Sequence, residues 1–323
     1  MKNNFKIDAV ITWVDGNDPR HKAKRDKFGN KKSLTKDDIA GDTRYTSVGE
    51  IMYCVASINR FAPWINKIYI VTDEQNPNVE PFLEKYFPEG HIPVEVVDHK
   101  VIYRGYEQYL PTFNSICLES MTWRIPGLSD RFIEFNDDLI LSAPTQPEDF
   151  FTEDGVICYG REYSSFIIRL NGLFKYRKDG SKKVTFKGTM LNAAKLIHHR
   201  GKIIKIYHTP KALLTNIYKD YYEAHPEHLE KNLAYRFRNA KQYNPQELQY
   251  LILYKQGRCE LRRAYSQLLY IKPTEDPEFV NGRLAEFTMK ANHKFGCFNS
   301  LDQTTEELRN TIIDWIERRI GLK

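Results

Sequence analysis

Residues 7–19 read Ile7-Asp8-Ala9-Val10-Ile11-Thr12-Trp13-Val14-Asp15-Gly16-Asn17-Asp18-Pro19. The run Ala9–Val14 is short and almost wholly apolar, as a strand covered on both faces must be. Asp15-Gly16-Asn17-Asp18-Pro19 then turns the chain abruptly out of it. The same pattern recurs three times. Lys67–Thr72 runs into Asp73, Pro93–Val97 into Asp98, and Arg131–Phe135 into Asn136-Asp137-Asp138. Between the first two runs, Val48, Ile51, Val55 and Ile58 fall at helical spacing, and Ser47 and Glu50 are separated as in a capping box. Alternating strands and helices predict an α/β fold with a mainly parallel, doubly wound sheet.

In such sheets ligands bind outside the carboxyl ends of the strands. Carboxylates gathered there repel one another unless a cation or a donor-rich ligand joins them. A hard divalent ion, Mg²⁺ or Mn²⁺, shared with phosphate oxygens meets that need. The plain reading of an Asp after a strand is a turn former or a helix cap, and for any single one of the four it is the better reading. Asp137-Asp138 is the exception, because Leu139-Ile140-Leu141 follows at once; this pair reads as a metal site.

The 323-residue chain has 41% hydrophobic and 28% charged residues, the composition of a globular protein long enough for one large domain with an appended lobe. Aromatic residues reach 13%, with 20 Tyr and 18 Phe, which reads first as a Tyr-rich core. The formal charge of +6 is spread along the chain. It suits a phosphate-bearing substrate or an anionic surface, and no nucleic-acid recognition motif accompanies it. Cys54, Cys117, Cys158, Cys259 and Cys297 are scattered and odd in number, so neither a disulfide framework nor a zinc site is expected. The apolar run near the N-terminus is too short for a signal peptide or a membrane span. The expected location is the cytoplasm, with peripheral contact at the inner face of the membrane or with other enzymes there.

Residues 1–145 are read as the ligand-binding α/β core, with a basic stretch at 20–43 forming a lid near the site or a plain solvated insertion. Residues 146–323 are read as a mostly helical completion region packed on that core. Within it, Gly155–Tyr163 and Lys202–Tyr207 read as strands, and Phe166–Lys187 as a hairpin turning at Lys178-Asp179-Gly180. Thr189–His199, Lys211–His225, Pro226–Ala240, Asn244–Lys255, Leu261–Leu269 and Thr304–Ile320 read as helices. The last carries Leu308, Ile312, Trp315, Ile316 and Ile320 on one face and Arg318, Arg319 and Lys323 at its end. It is either an interfacial helix drawn to anionic lipid or, as the better reading, a docking helix whose basic end complements its dipole.

The residues also carry a resemblance. Ile7–Pro19 resembles the first signature of the Stealth family of sugar-phosphate transferases. That family includes bacterial capsule-polymer hexose-1-phosphate transferases and the catalytic subunit of the lysosomal-enzyme N-acetylglucosamine-1-phosphotransferase. A second signature is similar from Arg44-Tyr45 and Glu50 through Phe61-Ala62-Pro63-Trp64, Ile68-Tyr69-Ile70-Val71-Thr72, Gln75-Asn76-Pro77, Leu110-Pro111-Thr112-Phe113-Asn114-Ser115 and Arg124-Ile125-Pro126-Gly127-Leu128 to Phe135-Asn136-Asp137-Asp138. Tyr207-His208-Thr209-Pro210 and Arg236-Phe237-Arg238 resemble a third, and Cys297-Phe298-Asn299-Ser300 a fourth. Met121 and Trp123 stand where many members carry His, and Ser300 stands where an acidic residue often follows, with Asp302 the nearest carboxylate.

The resemblance implies a GT-A-like fold and an enzyme moving a sugar 1-phosphate from a nucleotide-sugar, UDP-linked by expectation, to a hydroxyl of a polysaccharide or glycolipid. Asp137 and Asp138 are then the metal ligands, and Arg44 and Arg238 clamp phosphate through bidentate guanidinium contacts. Asp73, Arg124 and Asn299 join the substrate site. His208 handles the acceptor proton, with Asp15 the rival base or a holder of the donor sugar. The competing expectations are an ordinary metal-dependent glycosyltransferase, a catalytically silent glycan-binding protein, and a metal-dependent phosphohydrolase.

Overall fold

The computed structural model describes residues 5–29, 48–166, 184–264, 267–272 and 276–323. Arg44, most of the basic stretch and the turn at 178–180 lie outside them.

The four apolar runs form the expected strands: β1 (Ile7–Thr12), β2 (Ile68–Thr72), β3 (Val94–Asp98) and β4 (Arg131–Asn136). They pair in parallel, β1 with both β2 and β4, and β2 with β3. Every residue of β2 is buried and β1 is buried through Ile11, whereas β3 exposes Glu95 and Val96, as an edge strand can. Because β2 and β3 lie to one side of β1 and β4 to the other, the strand order reverses between β1 and β4. That reversal opens a crevice at their carboxyl ends, where Asp15 and Asp137-Asp138 emerge. A buried carboxylate steadies the opposite end: Asp8 accepts from Asn66 at 2.8 Å and from the Ser129 amide at 2.7 Å.

The chain after residue 145 differs from its sequence reading in ways that matter for the site. Lys211–Leu214 is a strand, not the start of a helix. It completes the main sheet by pairing antiparallel with β4, and the helix begins only at Thr215. Numbering in chain order gives β5 (Leu139–Leu141), β6 (Val156–Tyr163), β7 (Ile203–Ile206) and β8 (Lys211–Leu214). The expected helix at Leu261–Leu269 is instead β9 (Cys259–Arg262) and β10 (Leu268–Ile271). A further strand, β11 (Phe295–Phe298), lies between β10 and β5. Short runs such as Leu268-Leu269-Tyr270-Ile271 have no periodicity of their own to separate helix from strand; the pairing partner decides. Pro226–Ala240 is helical only to Leu233, which leaves Arg236 and Arg238 on a loop.

The basic stretch also differs from a simple loop. Pro19–Phe28 is a helix, capped by Asp18, whose carboxylate accepts the Arg20 amide at 2.8 Å. The helix Glu50–Phe61 starts at Glu50 after Gly49, and the Glu50 carboxylate takes the Val48 amide at 2.7 Å; Ser47 lies outside the described residues. Gly49 has φ 94°, a left-handed conformation that favours glycine.

The terminal helix Glu306–Ile320 settles on the helix Glu50–Phe61. Leu308, Ile312, Ile316 and Ile320 are buried in one cluster with Ala56 and Ile140, each contributing about 2 kcal/mol. Its basic end is engaged as well. Arg319 donates to the Ser142 carbonyl at 2.6 Å, and Arg60 donates to the Ile320 carbonyl at 2.9 Å, satisfying a helix-terminal acceptor. The docking reading of this helix is the one the packing supports. Among the described residues no helix is long and apolar enough to cross a membrane.

Candidate active site

The four strand-terminal carboxylates have different environments. Asp98 caps a short helix: its carboxylate accepts the Lys100 amide at 2.9 Å and the Glu74 amide at 2.7 Å. Asp73 is paired with Lys24, whose ammonium lies 3.2 Å from both carboxylate oxygens and 2.6 Å from Glu74. That pair pins the helix Pro19–Phe28 over the end of β2. The Asp15 carboxylate accepts the Asn17 amide at 2.9 Å. The Asp15 backbone is held from both sides by Gln75, which accepts its amide and donates to its carbonyl, each at 2.9 Å. Gln75 thereby ties the ends of β1 and β2 together.

Asp137 and Asp138 form the turn between β4 and β5, where the chain passes from the main sheet into the sheet of β10 and β11. Asp138 is tied to β11. Its carbonyl accepts the Phe298 amide at 3.0 Å, and its Oδ2 accepts from Asn299 at 3.3 Å and from the Cys297 thiol at 3.7 Å. Asn299 is itself oriented by Ser300, whose hydroxyl donates to it at 3.0 Å. The other Asp138 oxygen, Oδ1, is buried and has no hydrogen-bond partner among the described residues. An uncompensated buried carboxylate oxygen is costly. Burial raises the affinity of Asp138 for a proton, opposed by the Asn299 hydrogen bond and the Lys211 charge. Asp137 is pushed further up by burial and then by the carboxylates of Asp138 and Glu50. Oxygen donors that repel one another and hold an unfilled lone pair are what a hard divalent cation would neutralise. The residues present fit such an ion.

Beside this turn lies a small cleft lined by Val48, Glu50, Tyr53, Asp137, Asp138, Ile140, Phe298, Leu301, Ile313 and Ile316. One wall is therefore the helix Glu50–Phe61 and another the terminal helix.

His208 approaches from the other side of β4. Lys211 of β8 pairs with Glu134 of β4, so the chain running back from Lys211 through Pro210 and Thr209 to His208 follows the carboxyl end of β4. The His208 ring stacks on Tyr270 at 4.7 Å and 15°, with Phe186 at 6.5 Å on the stack. Tyr270 pairs with Cys297, the residue whose thiol meets Asp138. The second, third and fourth signature segments thus converge on one place. Burial of the ring, then the positive charges of Lys211 and Lys272, lowers His208 to about 4, so the imidazole is neutral at pH 7.

Two other expected residues stand elsewhere. Arg124 donates to the carbonyls of Ile102 and Arg104, both at 2.7 Å, and lies against Tyr106; its guanidinium fastens the 102–106 segment, which leaves it little reach toward a phosphate. Arg238 donates to the Ser115 hydroxyl at 2.6 Å, next to the stacked rings of Phe113 and Phe237 at 5.2 Å. Among the described residues no hydrogen bond joins it to the Asp137-Asp138 turn. Lys211 and Tyr270, by contrast, escaped the sequence reading. Lys211 directly follows the His208-Thr209-Pro210 motif and was hidden by assigning it to a helix surface. Tyr270 was hidden by reading its strand as the continuation of a helix.

Comparison with known proteins bears on this constellation. Residues 5–33 match the model for Stealth protein CR1, conserved region 1, and residues 44–159 that for Stealth protein CR2, conserved region 2. The capsular polysaccharide phosphotransferase WcwK of Streptococcus pneumoniae is 31% identical over 326 residues, covering 94% of this chain and 92% of that protein. The receptor polysaccharide phosphotransferase WefC of Streptococcus oralis is 32% identical over 259 residues, covering 74% and 75% respectively. Among solved structures, the bifunctional glycosyltransferase WbbM aligns with a TM-score of 0.45 at 9% identity, over 99% of this chain and 50% of that one. The chain belongs to the Stealth family of polysaccharide phosphotransferases.

Proposed function

We propose that this enzyme transfers a sugar 1-phosphate from a nucleotide-sugar, UDP-linked, to a hydroxyl of a surface polysaccharide. The observation that carries the reading is the unpartnered buried oxygen of Asp138, beside Asp137 and Asn299 at the strand-order reversal. The acceptor oxygen attacks the phosphorus bonded to the sugar. The bond from that phosphorus to the bridging oxygen of the diphosphate breaks, and the nucleoside monophosphate leaves with the bridging oxygen. The sugar remains joined through a phosphodiester.

Catalysis of such a transfer rests on positioning and on neutralising charge over the phosphoryl oxygens. Asp137 and Asp138 would hold Mg²⁺ or Mn²⁺, which supplies positive charge to the diphosphate. Asn299 fixes the Asp138 carboxylate, so its free oxygen keeps one direction. Lys211, whose charge already reaches Asp138, adds a further cation at the same strand end. Arg44 is the proposed phosphate clamp, joined by Arg238 if its guanidinium leaves Ser115 when the donor binds. His208, neutral and held by its ring stack, takes the acceptor proton; Asp15 supports the donor at the end of β1. The enzyme works at the inner face of the membrane, where its acceptor is assembled.

The test is the product. The protein is incubated with UDP-, GDP- and CDP-linked donors, with divalent metal and a glycan acceptor. The expected outcome is release of the nucleoside monophosphate and a phosphodiester signal in the ³¹P NMR spectrum of the glycan. Release of the nucleoside diphosphate alone, with no phosphorus in the product, makes the protein an ordinary glycosyltransferase.

A further inference from the structure

A second cluster of ligating side chains lies well outside the strand ends, at the joint between the helices Thr215–Ala224 and Pro226–Leu233. His225 is the single residue between them, with φ −137° and ψ 59°, so it ends one helix and opens the next. His225 Nδ1 lies 3.8 Å and His228 Nε2 3.5 Å from the same oxygen of Glu227. The three ligand atoms all lie within 4.8 Å of one another. Ligand atoms about 2.0–2.1 Å from a tetrahedral ion stand about 3.4 Å apart, so small side-chain rotations bring this set onto a common centre.

We propose that His225, Glu227 and His228 bind a late first-row divalent cation, Zn²⁺ by preference, with water completing the coordination. Two imidazoles and one carboxylate suit Zn²⁺ and its neighbours, whereas Mg²⁺ and Ca²⁺ require oxygen donors. The site is therefore chemically separate from the all-oxygen pair at Asp137 and Asp138.

The surroundings are arranged as a metal-binding histidine needs. The Tyr221 hydroxyl lies 2.9 Å from His228 Nδ1. When Nδ1 carries the proton and donates to that hydroxyl, the Nε2 lone pair faces Glu227 and the ion. Such outer hydrogen bonds fix the tautomer and the ring direction of metal-bound histidines. Tyr221 steadies the His228 ring, 5.9 Å away at 24°, while the exposed His225, stacked on His228 at 5.1 Å and 24°, turns out of that stack to direct Nδ1 at a shared ion. His228 is the least exposed of the three. Leu229 and Leu233 bury the following helix, so the ligands project from a fixed base. A bound ion would staple the two helices across their joint.

The experiment is equilibrium dialysis of the untagged 323-residue chain against Zn²⁺ in excess Mg²⁺, with metal analysis and a thermal melt. One Zn²⁺ per chain in the micromolar range is expected, with a higher Tm, since an ion that binds only the folded state stabilises it. The double variant His225→Ala/His228→Ala should take up none at the same concentration. Tyr221→Phe, which keeps the ring packing, should bind about tenfold more weakly. Substituted Co²⁺ should show a visible spectrum typical of tetrahedral coordination in the parent and not in the double variant. Failure of the parent to bind overturns the proposal. So does undiminished uptake by the double variant, because the chain has 9 His and another set would then be responsible. Should the double variant lose its fold by circular dichroism, the Tyr221→Phe comparison decides, and equal affinity to the parent overturns the site.

Discussion

The ends of β2 and β3 and the end of β4 look alike in sequence, each a short apolar run closed by aspartate, yet they differ in what the aspartates touch. Asp73 is matched by Lys24, and Asp98 by two backbone amides. Those carboxylates are neutralised by the protein itself and hold a helix and a turn in place. Among the described residues, Asp138 meets Asn299 and a thiol on one carboxylate oxygen and nothing on the other. The first region is finished by folding, while the second keeps a buried carboxylate oxygen that the proposed cation would neutralise. A carboxylate at a strand end is thus informative about function through what it lacks. The lack is visible only when the neighbouring strands, here β8, β10 and β11, are in place.

The largest effect expected from this contrast is on Asp138. Asp138→Asn keeps the shape and the contacts of β11 but removes the charge, and should lower kcat/KM about a thousandfold or more while the Tm stays within a few degrees of the parent. Nucleoside monophosphate release and a thermal melt measure the two. Near-parental activity, or full activity in excess chelator, would merge the two regions into one structural class.

The next effect is at His208. His208→Ala should reduce turnover about a hundredfold, with donor affinity near parental by calorimetric titration. The deficit should narrow at high pH, where the acceptor needs less help in losing its proton. Abolished donor binding in a folded variant would make His208 a donor-site residue and leave Asp15 as the leading base.

The smallest effect sharpens the other side of the comparison, and it is one of stability. His99 opens the short helix capped by Asp98; it is 4% exposed, and neither ring nitrogen has a hydrogen-bond partner. Burial lowers it from 6.5 to about 4. The unfolded chain therefore takes up a proton as pH falls through 6.5, while the folded chain does so only near 4. Stability is fully present above 6.5 and declines across that window, by about 2 kcal/mol at pH 5 from this group alone. Urea unfolding of the parent and of His99→Gln at pH 7 and pH 5 should differ in their pH dependence by that amount. Identical dependence would show that a proton reaches His99 in the folded state.

Much of this architecture was legible in the residues. Continuous apolar runs gave β1 to β4, and the helical spacing of Ile51, Val55 and Ile58 gave the helix between β1 and β2. Leu308, Ile312, Ile316 and Ile320 marked the docking face of the terminal helix. Asp137 and Asp138 stood out because the apolar chain resumes immediately after them. The second half was less legible where its strands have only four residues, as in β8 and β10. Over four residues helical and extended patterns cannot be told apart, and only the partner strand supplies the hydrogen bonds that choose between them.

What the amino-acid sequence determined by itself is local or periodic: the parallel sheet and the carboxylates at its carboxyl edge. What only the tertiary structure decided is partnership. It brought the Lys211 charge within electrostatic range of Asp138, stacked Tyr270 on His208, and turned Arg124 onto the carbonyls of Ile102 and Arg104. The physical reason is that charge neutralisation and hydrogen bonding act over a few ångströms in space, regardless of how many residues separate the groups along the chain. Asn299 lies 161 residues from Asp138 and still completes its environment.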